Sequence, residues 1–217
     1  MSFQHSKQNH SCQVAFQFKG MAQIPGFYVF EGLDGSGKST LSVRVLDLLT
    51  SKHVPAICFA EPTRYESGLY LRKFLSGEIE LSPEKQIEAF LEDREVSLQR
   101  NILPSIAEKK IVLLDRYMYS TAAYQSGEFF SAKEILKKNL DRGFPEPEKV
   151  FYLEIEPEEA LARLKGRDTT KDRFETISAL TKIKKAYEEI LPENTVRLDA
   201  KLSTEELLKL VSEKIPY

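Results

Sequence analysis

YVFEGLDGSGKST, residues 28–40, passes directly from four residues suited to a buried strand into a run of glycines and small hydroxyls. Gly32-Leu33-Asp34-Gly35-Ser36-Gly37-Lys38-Ser39 fits the phosphate-loop pattern, and Thr40 follows it. Glycines let successive backbone amides turn inward around an anion. A helix beginning near Lys38 aims its positive end at the same point. In such a loop Lys38 reaches the β and γ phosphates of a nucleoside triphosphate, and the Ser39 hydroxyl helps hold Mg²⁺. A preceding strand and a following apolar helix argue against a ligand-free glycine turn.

Working outward, strand-like runs recur at 27–30, 56–60, 111–114, 150–153 and 196–198, with helical patterns between them. This alternation predicts an α/β fold: a three-layer sandwich with a five-stranded parallel sheet flanked by helices. Ser82-Pro83-Glu84, Ser131 and Ser203-Thr204-Glu205-Glu206 read as helix starts. Pro104 is expected to bend the long helical segment from Pro83 to Lys109.

The 217 residues, 41% hydrophobic, suit one core and one domain over 23–217. Residues 1–22 read as a disordered extension, or the true start is Met21. A net charge of -2 gives no overall reason to bind a nucleic acid polymer or an anionic membrane, so any anion site is local. Two cysteines without a CxxC pair, and no long apolar segment, point to a soluble cytoplasmic protein.

A phosphate loop does not name the acceptor. The Asn-Lys-x-Asp pattern of guanine recognition is absent. Three further stretches bear on the choice. AEPTRYESG, residues 60–68, puts Glu61 and Arg64 just after the second strand, where α/β folds gather ligands; a plain turn is the alternative. LLDRYMYSTAAYQ, residues 113–125, ends a strand on Asp115, the position of a carboxylate that supports Mg²⁺, followed by Arg116; a surface ion pair is the alternative. ARLKGRDTTKDRFE, residues 162–175, carries five basic groups and reads as a closing segment near 163–175, or as a solvated turn.

Together with FEGLDGSGKST and FLEDR, these stretches in order resemble the thymidylate kinase family of nucleoside monophosphate kinases, from about Phe27 to Tyr187. The resemblance implies ATP-dependent phosphorylation of dTMP with Mg²⁺, usually by a homodimer. It implies that Asp34 lies between the two phosphate sites, that Glu61 and Pro62 line the acceptor site, that Phe90 stacks on thymine, and that Arg94 hydrogen-bonds the base. Arg116 would meet the acceptor phosphate, with Ser120, Thr121 and Gln125 nearby and Tyr124 crowding the sugar 2′ position. Arg167 and Arg173 match the closing-segment arginines, with Arg163 beside them. One branch of the family carries a loop arginine where this chain has Gly35, so the resemblance shifts that charge to Arg167. Where the family often has arginine before Glu-Pro, this chain has Ala60, with Arg64 as the substitute. The rivals are a deoxynucleoside kinase, with Glu61 as a base for a 5′-hydroxyl, and a nucleotide-binding module without catalysis.

Overall fold

A computed structural model describes residues 23–166 and 176–217. Five strands form one parallel sheet: β1 (Gln23–Gly32), β2 (Ala56–Ala60), β3 (Ile111–Asp115), β4 (Glu146–Glu154) and β5 (Val196–Asp199), in the order β2-β3-β1-β4-β5. Around them lie α1 (Lys38–Ser51), α2 (Glu66–Leu75), α3 (Pro83–Ser97), α4 (Leu103–Ala107), α5 (Met118–Tyr124), α6 (Ala132–Asp141), α7 (Pro157–Lys165), α8 (Ile177–Ile190) and α9 (Thr204–Ser212). All five expected strands are present, each with added residues except β2.

The central strand shows why the sequence folds this way. Phe27, Tyr28, Val29 and Phe30 are all buried, as a parallel strand covered on both faces requires. Phe30 pairs with Asp115 of β3 and with Phe151 of β4, so three strands reach the same carboxyl edge together. From β1 the chain crosses to one side, through β2 and β3, then to the other, through β4 and β5. That reversal leaves a crevice beyond β1, where ligands of open α/β sheets bind.

Three predicted helix starts carry their caps. Ser82 accepts from the Lys85 amide at 3.4 Å, and Ser131 and Ser203 form full capping boxes with Glu134 and Glu206. The break attributed to Pro104 falls earlier than expected. A π turn at Leu98–Ile102 separates α3 from α4, because proline's ring and missing amide disturb the turn before it rather than its own. Among the described residues, no helix is long and apolar enough to cross a membrane.

Candidate functional site at the carboxyl edge

The phosphate loop joins β1 to α1. Gly37 is the N-cap of α1 with φ 94°, and no side chain caps the helix, so its first amides face open space. Asp34, Gly35, Gly37, Lys38, Ser39 and Thr40 line a bowl of about 670 Å³ that opens to solvent. Lys38 is buried across its stem and donates to the Leu33 carbonyl at 3.1 Å. Burial, together with the Arg116 charge, lowers its pKa, while Asp34, Asp115 and Glu31 act against that shift. At Gly35, φ is +84°, and a Cβ would stand 2.5 Å from the Ala160 carbonyl oxygen of α7. No side chain fits there unless α7 moves, which accounts physically for the glycine in place of a loop arginine.

Asp34 joins the loop to the next cavity. Its Oδ1 accepts from Arg116 Nη2 and lies 3.7 Å from Lys38 Nζ, and its Oδ2 accepts from the Tyr124 hydroxyl at 2.9 Å. Burial alone would raise this carboxyl, but the Arg116 and Lys38 charges outweigh it and hold the group well below the usual carboxylate range. Arg116 itself adopts φ 71°, a left-handed backbone that non-glycine residues seldom take, with its amide bonded to the Phe30 carbonyl at 3.0 Å. Its guanidinium lies over the Tyr124 ring at 4.7 Å and donates to Ser120 Oγ at 3.1 Å.

Ser39 and Asp115, the two residues assigned to Mg²⁺, are in contact. Ser39 Oγ donates to Asp115 Oδ2, while Asp115 Oδ1 is buried without a hydrogen-bond partner among the described residues. A hydroxyl and a carboxylate oxygen beside a phosphate bowl suit a hard cation such as Mg²⁺, which keeps waters and phosphates as its other ligands. Among the described residues, no group of three acidic, His or Cys side chains is placed to hold a metal ion.

Beyond Asp34 a second cavity, about 490 Å³ including its open mouth, is lined by Glu61, Pro62, Phe90, Arg94, Arg116, Ser120, Thr121, Tyr124 and Gln125, with Leu75 and Tyr117. Every residue assigned to the acceptor except Arg64 is in this lining. Phe90, Pro62 and Leu75 provide an apolar wall for a flat base. Neither polar atom of the Gln125 amide has a partner among the described residues, although both are buried. Arg94 donates to Glu61 Oε2 from Nε at 3.1 Å and Nη2 at 2.8 Å, and from Nη2 to Thr121 Oγ1 at 3.0 Å. Its Nη1 reaches Asn139 Oδ1 of α6, and its guanidinium stacks over Tyr117 at 4.9 Å.

Burial pushes the Glu61 carboxyl from 4.5 up to about 7, against the pull of Arg94. A carboxyl raised in this way holds its proton more tightly when folded than when unfolded, so it makes stability fall as pH rises from 4.5 to about 7. Glu61→Gln is expected to flatten that part of the curve of unfolding free energy against pH. Urea titrations at stepped pH would show it, and an unchanged slope would assign the pH dependence to other groups.

Some sequence assignments stand apart. Arg64 is exposed and lines a neighbouring groove with Ser39 and Asp115, outside the acceptor cavity. Arg163 is paired with Glu159 at 2.7 Å and with the Ala200 carbonyl at 2.9 Å. Arg167 and Arg173 lie outside the described residues.

Other contributors escaped the sequence reading. Asp93, fully buried, accepts from the Thr63 amide at 2.7 Å, Thr63 Oγ1 at 2.6 Å and Ser67 Oγ at 2.6 Å, and so folds the turn that presents Glu61. Asn139 anchors its Nδ2 on the Ile135 carbonyl at 2.8 Å and offers its oxygen to Arg94. Asn139 repeats Ile135 four residues on, an amide on an otherwise apolar face, and that phase is the signal that could have found it. Glu31, a charged residue inside an apolar strand, is the other such signal.

The family model described as Thymidylate kinase matches residues 30–211. A thymidylate kinase of Leptospira interrogans is 55% identical over 185 residues, covering 85% of this chain and 91% of the relative. A thymidylate kinase of Leptospira borgpetersenii is 52% identical, covering 85% and 90%. A probable thymidylate kinase of Archaeoglobus fulgidus is 36% identical, covering 85% and 92%.

Proposed function

Because the chain belongs to the thymidylate kinase family, we propose that it transfers the γ-phosphoryl group of ATP to dTMP, giving dTDP and ADP, and that the carboxyl-edge residues divide that work. The observation that carries the reading is the Asp34–Arg116 contact, which makes the donor loop and the acceptor cavity one electrostatic unit.

In the transfer, an oxygen of the dTMP phosphate forms a bond to the γ-phosphorus as the bond to the β-bridging oxygen breaks, and the electron pair leaves with ADP. The attacking oxygen is already ionised at neutral pH, so no residue has to remove a proton. Glu61, tied twice to Arg94, is occupied with positioning, which speaks against the deoxynucleoside-kinase alternative. The remaining work is alignment and charge neutralisation. Lys38 and the α1 amides hold the donor phosphates, and Arg116 meets the acceptor phosphate. Asp34, in contact with both cations, offsets their repulsion and fixes how they are oriented. Ser39 and Asp115 would hold Mg²⁺, which when bound neutralises the β and γ phosphate oxygens. Arg167, with Arg163 and Arg173, would bring further positive charge from the closing segment.

Arg94 carries only donors, so it favours a base carbonyl over an amino group, and Phe90 supplies the stacking face. A cytoplasmic homodimer is the proposed setting. Leu69 and Tyr70 of α2, 53% and 46% exposed, offer an apolar face for a second copy, and Cys58 is a free thiol.

Screening nucleoside monophosphates and thymidine as acceptors with ATP and Mg²⁺, by ADP release, tests the assignment. dTMP is expected to be preferred, with dUMP lower in kcat/KM by about tenfold to a hundredfold for want of one methyl. Faster turnover of thymidine than of dTMP would overturn the assignment.

A further inference from the structure

Glu31 is the penultimate residue of β1 and is fully buried. A carboxylate in that position is costly unless its oxygens are satisfied. Its Oε1 accepts from the backbone amides of Tyr117 at 2.9 Å and Ser120 at 3.2 Å. Its Oε2 accepts from Ser120 Oγ and from the Tyr187 hydroxyl of α8 at 2.9 Å. The residue therefore grips both the backbone and a side chain of the segment that follows Arg116.

The hydrogen-bond polarity has a specific consequence. Ser120 Oγ gives its only proton to Glu31, which leaves its lone pairs to accept from Arg116 Nη1 at 3.1 Å. With Nη1 held by Ser120 and Nη2 held by Asp34, the plane of the Arg116 guanidinium is set from two sides. A left-handed backbone such as Arg116 has at φ 71° persists only when its surroundings over-determine it, and Glu31 supplies three bonds to the residues just after it.

We propose that Glu31 is a positioning residue for phosphoryl transfer: by taking the Ser120 proton and pinning the 117–120 backbone, it orients the Arg116 guanidinium toward the acceptor phosphate. This rests on the reading of Arg116 as the ligand of that phosphate. Tyr187, whose hydroxyl lies 2.8 Å from Ser120 Oγ, belongs to the same clamp.

Glu31→Gln tests the idea because it keeps the size of the side chain and reverses one polarity. The amides of Tyr117 and Ser120 can only donate, so the glutamine oxygen must face them and its NH₂ must face Ser120 Oγ and Tyr187. Ser120 then accepts from the glutamine as well as from Arg116, and its own proton is left to the Tyr187 hydroxyl 2.8 Å away, so Ser120 no longer donates to a carboxylate and its hold on Arg116 Nη1 weakens.

The expected result is a fall in kcat of about tenfold with KM for ATP within about twofold of the parent. The deciding measurement repeats Glu31→Gln in an Arg116→Ala background. A residue that acts through Arg116 should cost nothing further there, whereas a purely structural one should cost about tenfold in both backgrounds. Equal losses, or a parental kcat for Glu31→Gln, would overturn the proposal. Near-parental turnover of Arg116→Ala alone would instead overturn the underlying reading of Arg116. Should Glu31→Gln not fold, Tyr187→Phe removes a single hydroxyl. It is expected to lower kcat by about threefold in the parent and not at all without Arg116; no loss in the parent would equally overturn the proposal.

Discussion

Lys38→Ala is expected to lower kcat/KM by about a hundredfold to a thousandfold, the usual cost of removing one donor aimed at developing charge. The structure makes this residue hard to replace. Its ammonium is buried at the floor of the phosphate bowl, 3.1 Å from the Leu33 carbonyl, and among the described residues no other lysine lines that bowl. Arg116 cannot cover for it, because its guanidinium is engaged by Asp34, Ser120 and Tyr124 on the acceptor side. The fold should survive, since alanine is a good residue for the first turn of α1 and the substitution removes a buried charge. Circular dichroism melting beside a coupled ADP-release assay separates the two effects. Near-parental turnover in a folded variant would sink the assignment of the loop as donor site.

Arg94→Met is expected to show the largest loss of stability at the site, about 3 kcal/mol, because removing one partner of a buried ion pair strands the other. Glu61 would lose its cation, while Asn139 and Thr121 would lose a donor. For a chain of this size, that loss lowers the melting temperature by about 10 °C. Binding of dTMP should weaken as well, since the same guanidinium faces the acceptor cavity. A second change separates the two roles. Adding Glu61→Gln removes the carboxyl left without its cation and should restore a large part of the stability on the alkaline side of neutrality, where that carboxyl would be charged, because well-packed neutral replacements of a buried pair are often tolerated. It should restore none of the affinity for dTMP. Calorimetric melting and equilibrium dialysis with dTMP check both halves; recovery of binding along with stability would show that Arg94 serves the fold alone.

Much of the site was legible in sequence because its chemistry is local. A phosphate loop needs its glycines, Lys38 and Ser39 at fixed spacing, and a strand ending in Asp115-Arg116 announces a carboxylate and a cation at the sheet edge. Phe90 and Arg94 could be paired because four residues make one turn of α3. What was not legible depends on residues brought together from afar. Nothing near Arg94 says that Asn139, 45 residues later, will accept from it. Nothing near Glu31, one charge in an apolar strand, says that Ser120, 89 positions later, will return to its side. The disturbance caused by Pro104 was visible, but its place was not, since strain settles in the preceding turn, where a π widening absorbs it.

Gly35 carries a consequence for how such a kinase can change over generations. The Ala160 carbonyl stands where the Cβ of residue 35 would go, so even alanine at that position requires α7 to retreat. A positive side chain cannot migrate into the loop by one substitution, however useful it would be there, until the packing of α7 has first been loosened. The order of mutational steps is thereby constrained: a permissive change near position 160 must come first, and a backbone oxygen acts as a ratchet on where the enzyme can keep its charge.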